Sequence, residues 1–166
     1  MVQCLKASDA WLPPSGVVAM FGGAKSEPDL LPLIPWLSAR GVGVAFFGIE
    51  EDTMHPYRVG STEDLRVGKF GVLEPSAREG TRLAVADLGV VLTPGLAFES
   101  AHGHRMGRGA GYYDRFFSNP ECRAKRIGVG FSLQFCDTLA IEEHDIPMQA
   151  FVTEHGWMDV PTPATS

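Results

Sequence analysis

Five short apolar runs are the feature that most constrains the fold of this chain. They are Val17–Phe21, Gly43–Phe47, Leu88–Thr93, Ile127–Phe131 and Ala150–Val152. Near-continuous apolar strands rich in β-branched and aromatic residues are typical of a parallel sheet that is covered on both faces. Most of the separations between the runs are long enough for crossover segments. The sequence therefore predicts one α/β domain over residues 1–166: a three-layer, mostly parallel open sheet with helices on both faces.

The segment after the first run predicts a crossover helix. Ser26 is a candidate cap and Pro28 suits the first turn. Four apolar residues are spaced to form one buried stripe: Leu30, Leu33, Ile34 and Leu37. Pro32 and Pro35 each remove a helix hydrogen bond, so we expect this helix to be bent or to begin late.

Two further regions carry weaker patterns. The polar, glycine-rich stretch between Gly48 and Thr81 predicts a hairpin that extends one end of the sheet, with minor strands at Tyr57–Val59 and Phe70–Leu73. The end of the chain, residues 158–166, predicts a frayed tail.

Charge and cysteine content narrow the class of function. The chain has 14 Lys and Arg against 20 Asp and Glu, a formal net charge of −6. An acidic protein of this kind argues against general nucleic-acid or membrane-surface binding, although a local pair of arginines can still bind an anionic small molecule. The three cysteines are widely spaced, and no signal peptide or membrane-spanning apolar run is seen. We expect a cytoplasmic protein, monomeric or weakly homo-oligomeric.

The segment Gly103–Arg115 predicts a phosphate-binding loop. It follows the strand Leu88–Thr93, and ligands of open α/β sheets gather beyond the carboxyl ends of strands. Its alternating glycines allow successive N–H groups to point into one concavity. Arg105 and Arg108 supply forked donors for phosphate oxygens, and Asp114 offers a hard oxygen ligand for Mg²⁺. A short helix over Tyr112–Phe117 should follow, with its N-terminus at the concavity.

Several candidates have plainer interpretations. One of the adjacent aromatics Tyr112 and Tyr113 must face inward and can be core. His102 and His104 suggest a metal pair, but no third ligand stands at useful spacing, so we expect exposed loop residues. Taken alone, Glu27 is an ordinary first-turn helix acid and Asp145 a solvated acidic turn residue.

The loop resembles the signature of the 5-formyltetrahydrofolate cyclo-ligase family. The resemblance rests on Phe98-Glu99 followed by Gly103-x-Arg-Met-Gly-Arg-Gly-x-Gly-Tyr-Tyr-Asp-Arg115. Other stretches match in order along the chain: Glu27, Gly71-x-x-Glu74-Pro75, Gly128-Val-Gly-Phe131, Gln134, His144-Asp145 and Val152-Thr-Glu154. The resemblance spans Val17 to Glu154, nearly the whole chain.

This resemblance implies a reaction and a set of roles. The reaction is the ATP- and Mg²⁺-dependent conversion of 5-formyltetrahydrofolate to 5,10-methenyltetrahydrofolate, with ADP and phosphate as products, on a NagB/RpiA/CoA-transferase-like architecture. The catalytic residues would be Arg108, nearest the transferred phosphoryl group, and Tyr112. The ATP-binding residues would be Gly103, Arg105, Met106, Gly107, Arg108, Gly109, Ala110, Gly111, Tyr112 and Tyr113. The folate-binding residues would be Glu27, Phe70, Tyr112 and Tyr113, and the metal ligands Asp114 and Asp145.

The chain departs from the family's pattern in three places. Only 16 residues precede the first apolar run, and no basic helix like the one that reaches the ATP phosphates in the family is seen there. Glu99 replaces the usual Asp, and the Pro that normally ends the second strand is missing at Phe47-Gly48. We therefore expect weaker ATP binding than in a typical member. Two alternatives stay open: a weakly active or inactive folate- or nucleotide-binding relative, and a sugar-phosphate isomerase-like or CoA-transferase-like enzyme.

Overall fold

The computed structural model describes residues 1–68, 71–76 and 80–161. Within these ranges the helices are α1 (Val2–Lys6), α2 (Leu33–Ser38) and α3 (Tyr112–Phe117). The strands are β1 (Val17–Met20), β2 (Gly43–Glu50), β3 (Thr53–Arg58), β4 (Leu65–Val67), β5 (Leu73–Pro75), β6 (Leu88–Thr93), β7 (Ala97–Glu99), β8 (His104–Met106), β9 (Lys125–Val129), β10 (Ala150–Thr153) and β11 (Gly156–Asp159). Short 3₁₀ turns lie at Thr62–Asp64, Val85–Asp87 and Ser132–Gln134.

The main sheet has seven strands in the order β11-β10-β9-β6-β1-β2-β3. Its five inner strands, which arise from the five apolar runs, are mutually parallel. The edge strands β3 and β11 are antiparallel to their neighbours. This arrangement confirms the mostly parallel sheet. A hairpin does extend one end of it, but it consists of β2 and β3, and β3 begins four residues before the predicted strand Tyr57–Val59. The other predicted strand, Phe70–Leu73, is wrong as part of this hairpin: Leu73 begins β5, which pairs with β4 in a separate sheet, and Phe70 lies outside the described residues. The hairpin turns at Glu51 and Asp52, whose φ values of 45° and 65° are those of a tight two-residue turn.

The sheet has a helix-covered core on each face. Val18 and Met20 of β1 belong to the cluster that α1 and α2 cover, with Leu5 and Leu37 fully buried. Val17 and Ala19 belong to the opposite cluster, together with Phe116 and Phe117 of α3. Successive residues of a strand point to opposite faces, so both faces of β1 are buried. The predicted three layers are therefore confirmed.

Helix α2 begins late, as the prolines predict. Its first residue is Leu33, and Pro32 stands at the N-cap position without a side-chain cap. Proline is tolerated there because its missing N–H would have no partner in the first turn. The predicted cap at Ser26 is wrong, since Ser26 lies in a separate turn. The predicted apolar stripe, with Leu30 ahead of the helix, is buried.

The two ends of the chain differ from expectation. The frayed tail is wrong for Met158 and Asp159, which pair with Phe151 and Ala150 as part of β11. A turn at Glu154–His155 brings this strand back antiparallel to β10, and Trp157 packs on the core beneath α1. Residues 162–166 lie outside the described ranges. Helix α1 was not predicted. Among the helices just described, none has the length and apolar character that crossing a membrane requires.

The strand order creates a switch point between β1 and β6. The chain passes from β1 to β2 on one side, and from β6 to β9 on the other. Such a reversal opens a crevice beyond the carboxyl ends of the two strands, where open α/β sheets bind ligands.

Candidate functional site

A cavity of about 440 Å³ lies at this switch point. Residues after β1 and β6 form its floor, the β2–β3 hairpin and β5 form one wall, and the predicted loop with the start of α3 forms the other. The lining residues are Phe21, Gly22, Ala24, Glu27, Phe47, Ile49, Met54, Val72, Leu73, Glu74, Pro94, Gly95, Arg105, Gly107, Arg108, Ala110, Gly111, Tyr112, Tyr113 and Asp114. The volume suits a small-molecule ligand.

The loop conformation depends on its glycines. Gly109 and Gly111 have φ values of 88° and 63°, a region that side chains with a Cβ rarely adopt. A Cβ at Gly107 would lie 2.9 Å from Nη1 of Arg105, so a larger residue there would require that guanidinium to shift. Arg115 holds the loop in place through hydrogen bonds to two backbone carbonyls. Its Nη1 donates to the Ala110 carbonyl at 2.7 Å, and its Nη2 to the carbonyl of Asp52 in the β2–β3 turn at 3.4 Å.

Arg105 is a buried cation at the cavity. Its side chain is 4% exposed, and Nη2 donates to both carboxylate oxygens of Asp114, at 3.0 and 3.2 Å. Its Nε is buried and has no acceptor within the described part of the chain. A buried cation that lines a cavity favours an anionic ligand there.

Arg108 and Glu27 face each other at the same cavity. Nη2 of Arg108 lies 3.0 Å from Oε1 of Glu27. The Arg108 side chain is 57% exposed and that of Glu27 is 10% exposed. The backbone N–H of Ala24 donates to Oε2 of Glu27 at 2.7 Å, which fixes the carboxylate. The carboxylate is therefore held in place, while the guanidinium is free to reorient.

Both tyrosines are half-buried and line the cavity. Tyr113 packs edge-on against Phe47 with ring centroids 5.7 Å apart, and the guanidinium of Arg105 lies 5.4 Å from its ring centre. Desolvation by the surrounding protein raises the pKa of Tyr113, and the nearby Arg105 only partly opposes this, so the hydroxyl is a neutral donor. Tyr112 lies under the guanidinium of Arg115 at 5.0 Å. Neither side chain is purely core.

The apolar wall of the cavity escaped sequence reasoning. Phe47, Ile49 and Met54 come from the β2–β3 hairpin, and Leu73 from β5. Phe47 could have been found from its position, because it ends an apolar run and ligands bind beyond the ends of strands. Ile49 and Met54 carry no comparable signal.

Some predicted site residues lie away from the cavity lining. Met106 is 41% exposed on β8, and the carbonyl of Gly103 accepts a hydrogen bond from the N–H of Met148 at 2.8 Å. Gly109 lies in the loop between lining residues. Phe70 falls outside the described residues.

Of the two aspartates predicted to bind Mg²⁺, Asp114 is contacted by the backbone next to Asp145. The N–H of Ile146, directly after Asp145, donates to Oδ1 of Asp114 at 3.3 Å. Asp114 lines the cavity, whereas Asp145 lies beyond the lining and accepts from the N–H of Glu142 at 2.8 Å. Oxygen donors beside a phosphate-binding loop suit Mg²⁺, which binds through one or two carboxylates plus phosphate and water. Asp114 therefore offers oxygen donors of the kind that such an ion takes, although both its carboxylate oxygens accept from Arg105.

The expectation that His102 and His104 lack a third partner is wrong. Oε2 of Glu99 lies 3.3 Å from Nδ1 of His102 and 3.2 Å from Nδ1 of His104. The β7–β8 ribbon places Glu99 directly opposite His104, which spacing along the chain did not reveal. Burial opposes ionisation of Glu99. Hydrogen bonds from the N–H groups of Ala101 and His102 and from the His102 ring outweigh it and lower the pKa of this carboxyl.

Two polar residues from the last third of the chain form hydrogen bonds beyond the carboxyl ends of β6, β9 and β10. Gln134 donates from Nε2 to the carbonyl of Gly95 at 2.7 Å and accepts from the N–H of Phe131 at 2.7 Å. Glu154 accepts from the hydroxyl of Ser132 at 2.6 Å and from its N–H at 2.9 Å. These two bonds, the hydroxyl first, lower the pKa of Glu154 to about 2.

Comparison with known proteins gives a consistent result. Residues 6–154 match the model of the 5-formyltetrahydrofolate cyclo-ligase family. The 5-formyltetrahydrofolate cyclo-ligase of Escherichia coli K12 is 30% identical over 145 residues, which cover 82% of this chain and 76% of that protein. A 5-formyltetrahydrofolate cyclo-ligase from Saccharomyces cerevisiae is 42% identical over 74 residues, covering 42% of this chain and 35% of that protein.

Two solved structures share the fold. The NMR structure of Aquifex aeolicus 5,10-methenyltetrahydrofolate synthetase superimposes with a TM-score of 0.79 and 31% identity, covering 99% of this chain and 84% of that one. The 5,10-methenyltetrahydrofolate synthetase of Mycoplasma pneumoniae gives a TM-score of 0.69 at 20% identity, covering 90% of this chain and 80% of that one. The second likeness shows the fold alone.

Proposed function

The chain belongs to the 5-formyltetrahydrofolate cyclo-ligase family, and we propose that it converts 5-formyltetrahydrofolate to 5,10-methenyltetrahydrofolate at the expense of ATP. The observation that carries the proposal is the two-sided cavity. An apolar wall that includes Phe47 and Met54 faces a loop that presents Arg105 and Arg108. The relatives do not favour the isomerase-like and transferase-like alternatives or a non-catalytic binding protein.

The two sides of the cavity suit the two parts of the reaction. A flat pterin ring fits between the apolar wall and the tyrosines, with Glu27 as acceptor for its ring nitrogens. The ATP phosphates fit along the loop Gly107–Gly111, where Arg105 supplies a buried positive charge and Arg108 its exposed fork. The formyl group then lies between pterin and γ-phosphate.

The reaction proceeds in two displacements. The formamide oxygen attacks the γ-phosphorus, the bond from that phosphorus to the ADP oxygen breaks, and the oxygen becomes a phosphate ester. The N10 nitrogen then attacks the same one-carbon unit, loses its proton, and phosphate leaves with the former formyl oxygen. Both steps demand positioning and charge neutralisation, and ring closure is intramolecular. Arg108 would stabilise charge on the transferring group, and the neutral Tyr113 hydroxyl and Tyr112 would orient the acceptor.

Asp114 and Asp145 are the residues that would hold Mg²⁺. The ion would supply charge neutralisation at the ATP phosphates. Arg105 orients Asp114 by donating to both of its carboxylate oxygens. A NagB/RpiA/CoA-transferase-like architecture, a cytoplasmic location and a monomeric or weakly oligomeric state remain predictions from the sequence.

A turnover assay tests the proposal directly. Purified protein is incubated with 5-formyltetrahydrofolate and Mg-ATP, and formation of the methenyl chromophore is followed. We expect chromophore formation that requires ATP and is matched mole for mole by phosphate release. Binding of both ligands by calorimetry without turnover would instead identify a non-catalytic binding protein. Absence of binding would indicate a different substrate.

A further inference from the structure

We propose that Glu99, His102 and His104 form a binding site for one divalent transition-metal ion of the zinc class, outside the proposed active site. Each residue offers one ligand atom, and the three atoms all lie within 4.8 Å of one another. Oε2 of Glu99 is 3.3 Å and 3.2 Å from the two Nδ1 atoms. Two ligand atoms on one tetrahedral ion with bonds of ~2.0 Å lie about 3.3 Å apart, so these distances match.

The ribbon β7–β8 holds the three ligands in place. Glu99 and His104 are directly paired across the ribbon, and the two imidazole rings stack with centroids 5.7 Å apart. The N–H of Ala101 donates to Oε1 of Glu99 at 2.7 Å, and the N–H of His102 to Oε2 at 3.2 Å. A ligating carboxylate that is oriented by backbone donors is the usual support of a metal site.

Burial gives the cluster a closed side and an open side. The Glu99 side chain is 5% exposed, that of His104 23% and that of His102 75%. The carboxylate is thus removed from bulk water while an ion can enter from the His102 side. Three protein ligands leave a fourth position of a tetrahedral ion for water.

The ligand set selects the class of ion. Two imidazoles with one carboxylate suit Zn²⁺, Ni²⁺ and Cu²⁺, whereas Mg²⁺ and Ca²⁺ prefer oxygen ligands alone. The site is therefore chemically distinct from the all-oxygen pair Asp114 and Asp145.

The cluster also lies apart from the cavity. Neighbouring residues of a strand point to opposite faces, so His104 lies on the face of β8 opposite to Arg105, which lines the cavity. None of the three ligands contributes to that lining. An ion there would tie the two ends of the turn 100–103 together and stabilise the ribbon that carries Arg105.

Zinc titration of untagged protein tests the proposal without reference to turnover. The protein is first treated with a chelator and then titrated with Zn²⁺ in competition with a chromophoric chelator. We expect one zinc ion per chain and a zinc-dependent rise in the thermal unfolding midpoint, because an ion that binds only the folded state stabilises it. His102→Ala and His104→Ala should each weaken binding at least tenfold and abolish the rise. His102 is exposed, so its replacement tests binding without disturbing the fold.

Two controls make the result specific. His155→Ala removes an equally exposed histidine elsewhere, with its side chain 77% exposed, and should leave zinc binding unchanged. Cys136→Ala removes a thiol whose Sγ lies 3.5 Å from the carbonyl of Phe98, next to Glu99, and should also leave it unchanged. Absence of stoichiometric zinc binding to the unmodified protein would overturn the proposal. Zinc binding that is lost in Cys136→Ala but kept in His102→Ala would overturn it as well. The first outcome would identify the cluster as a hydrogen-bonded triad alone.

Discussion

Arg108 and Glu27 stand 81 residues apart in the chain, and their side chains form an ion pair at the cavity with Nη2 3.0 Å from Oε1. The pair joins the proposed phosphate-binding arginine to the proposed pterin-binding carboxylate. In the pair, each side chain uses hydrogen-bonding positions of the other, which are then unavailable to a ligand. A ligand that engages one of them therefore releases the other for the second ligand.

The first prediction is that ATP and folate strengthen each other's binding. Calorimetric titration of a non-hydrolysable ATP analogue, with and without 5-formyltetrahydrofolate, should show a coupling of about tenfold, or ~1.4 kcal/mol, equal in both directions. Glu27→Gln and Arg108→Ala should each bring the coupling factor towards one. Arg123→Ala, which removes an exposed arginine that does not line the cavity, should preserve it. Independent binding in the unmodified protein would contradict this role for the pair.

The second prediction concerns catalysis. Arg108→Ala should lower kcat by about 100-fold or more, because a charge-assisted donor aimed at a transferring phosphate acts mainly in the transition state. Folate affinity measured without ATP should not fall and should rise by up to about the coupling factor, since Glu27 keeps its bond from Ala24 and no longer has to leave Arg108. Steady-state kinetics with Arg123→Ala as the matched control would decide it. An unchanged kcat with a weaker folate affinity would show that the assigned role is wrong.

The third prediction concerns stability. Arg105→Ala should lower the free energy of unfolding by roughly 3–5 kcal/mol, because Asp114, 13% exposed, would keep its charge without its main partner. The double variant Arg105→Ala/Asp114→Asn should recover part of that loss, since no unpaired charge remains. Urea unfolding followed by circular dichroism gives both numbers. Equal losses in the single and double variants would show that the ion pair is not the cause.

The fourth prediction is a pH dependence. The Ser132 hydroxyl is the largest cause that lowers the pKa of Glu154 from 4.5 to about 2. Ser132→Ala should therefore move this pKa up towards 4.5, which carboxyl NMR titration would detect. A depressed carboxyl pKa stabilises the folded state above the unfolded pKa, and the effect is lost as pH falls through the folded pKa. The unmodified protein should thus exceed Ser132→Ala in stability at pH 5 and above, and the difference should vanish near pH 2.

A control with a double variant tests whether the pH dependence of stability arises from the Glu154 carboxyl. In a Glu154→Gln background the Ser132→Ala change should give a stability difference that no longer varies with pH. A pH-dependent difference that persists in this background would assign the effect to another group.

The amino-acid sequence by itself determined the five inner strands and two of the helices. The five apolar runs specified the parallel strands, and α3 spans Tyr112–Phe117 as predicted. The late start of α2 followed from Pro32. These features were accessible because apolar periodicity, β-branching, proline and glycine act over a few neighbouring residues.

The tertiary structure alone decided how the site is assembled. The strand order, which no local pattern encodes, brought Glu27 to Arg108 and placed Ile49 and Met54 opposite the loop. The register of a two-stranded ribbon set Glu99 against His104, a relation that spacing along the chain had argued against. Contacts between distant residues depend on which strands pair and in which register, and this is fixed only when the whole core is buried together.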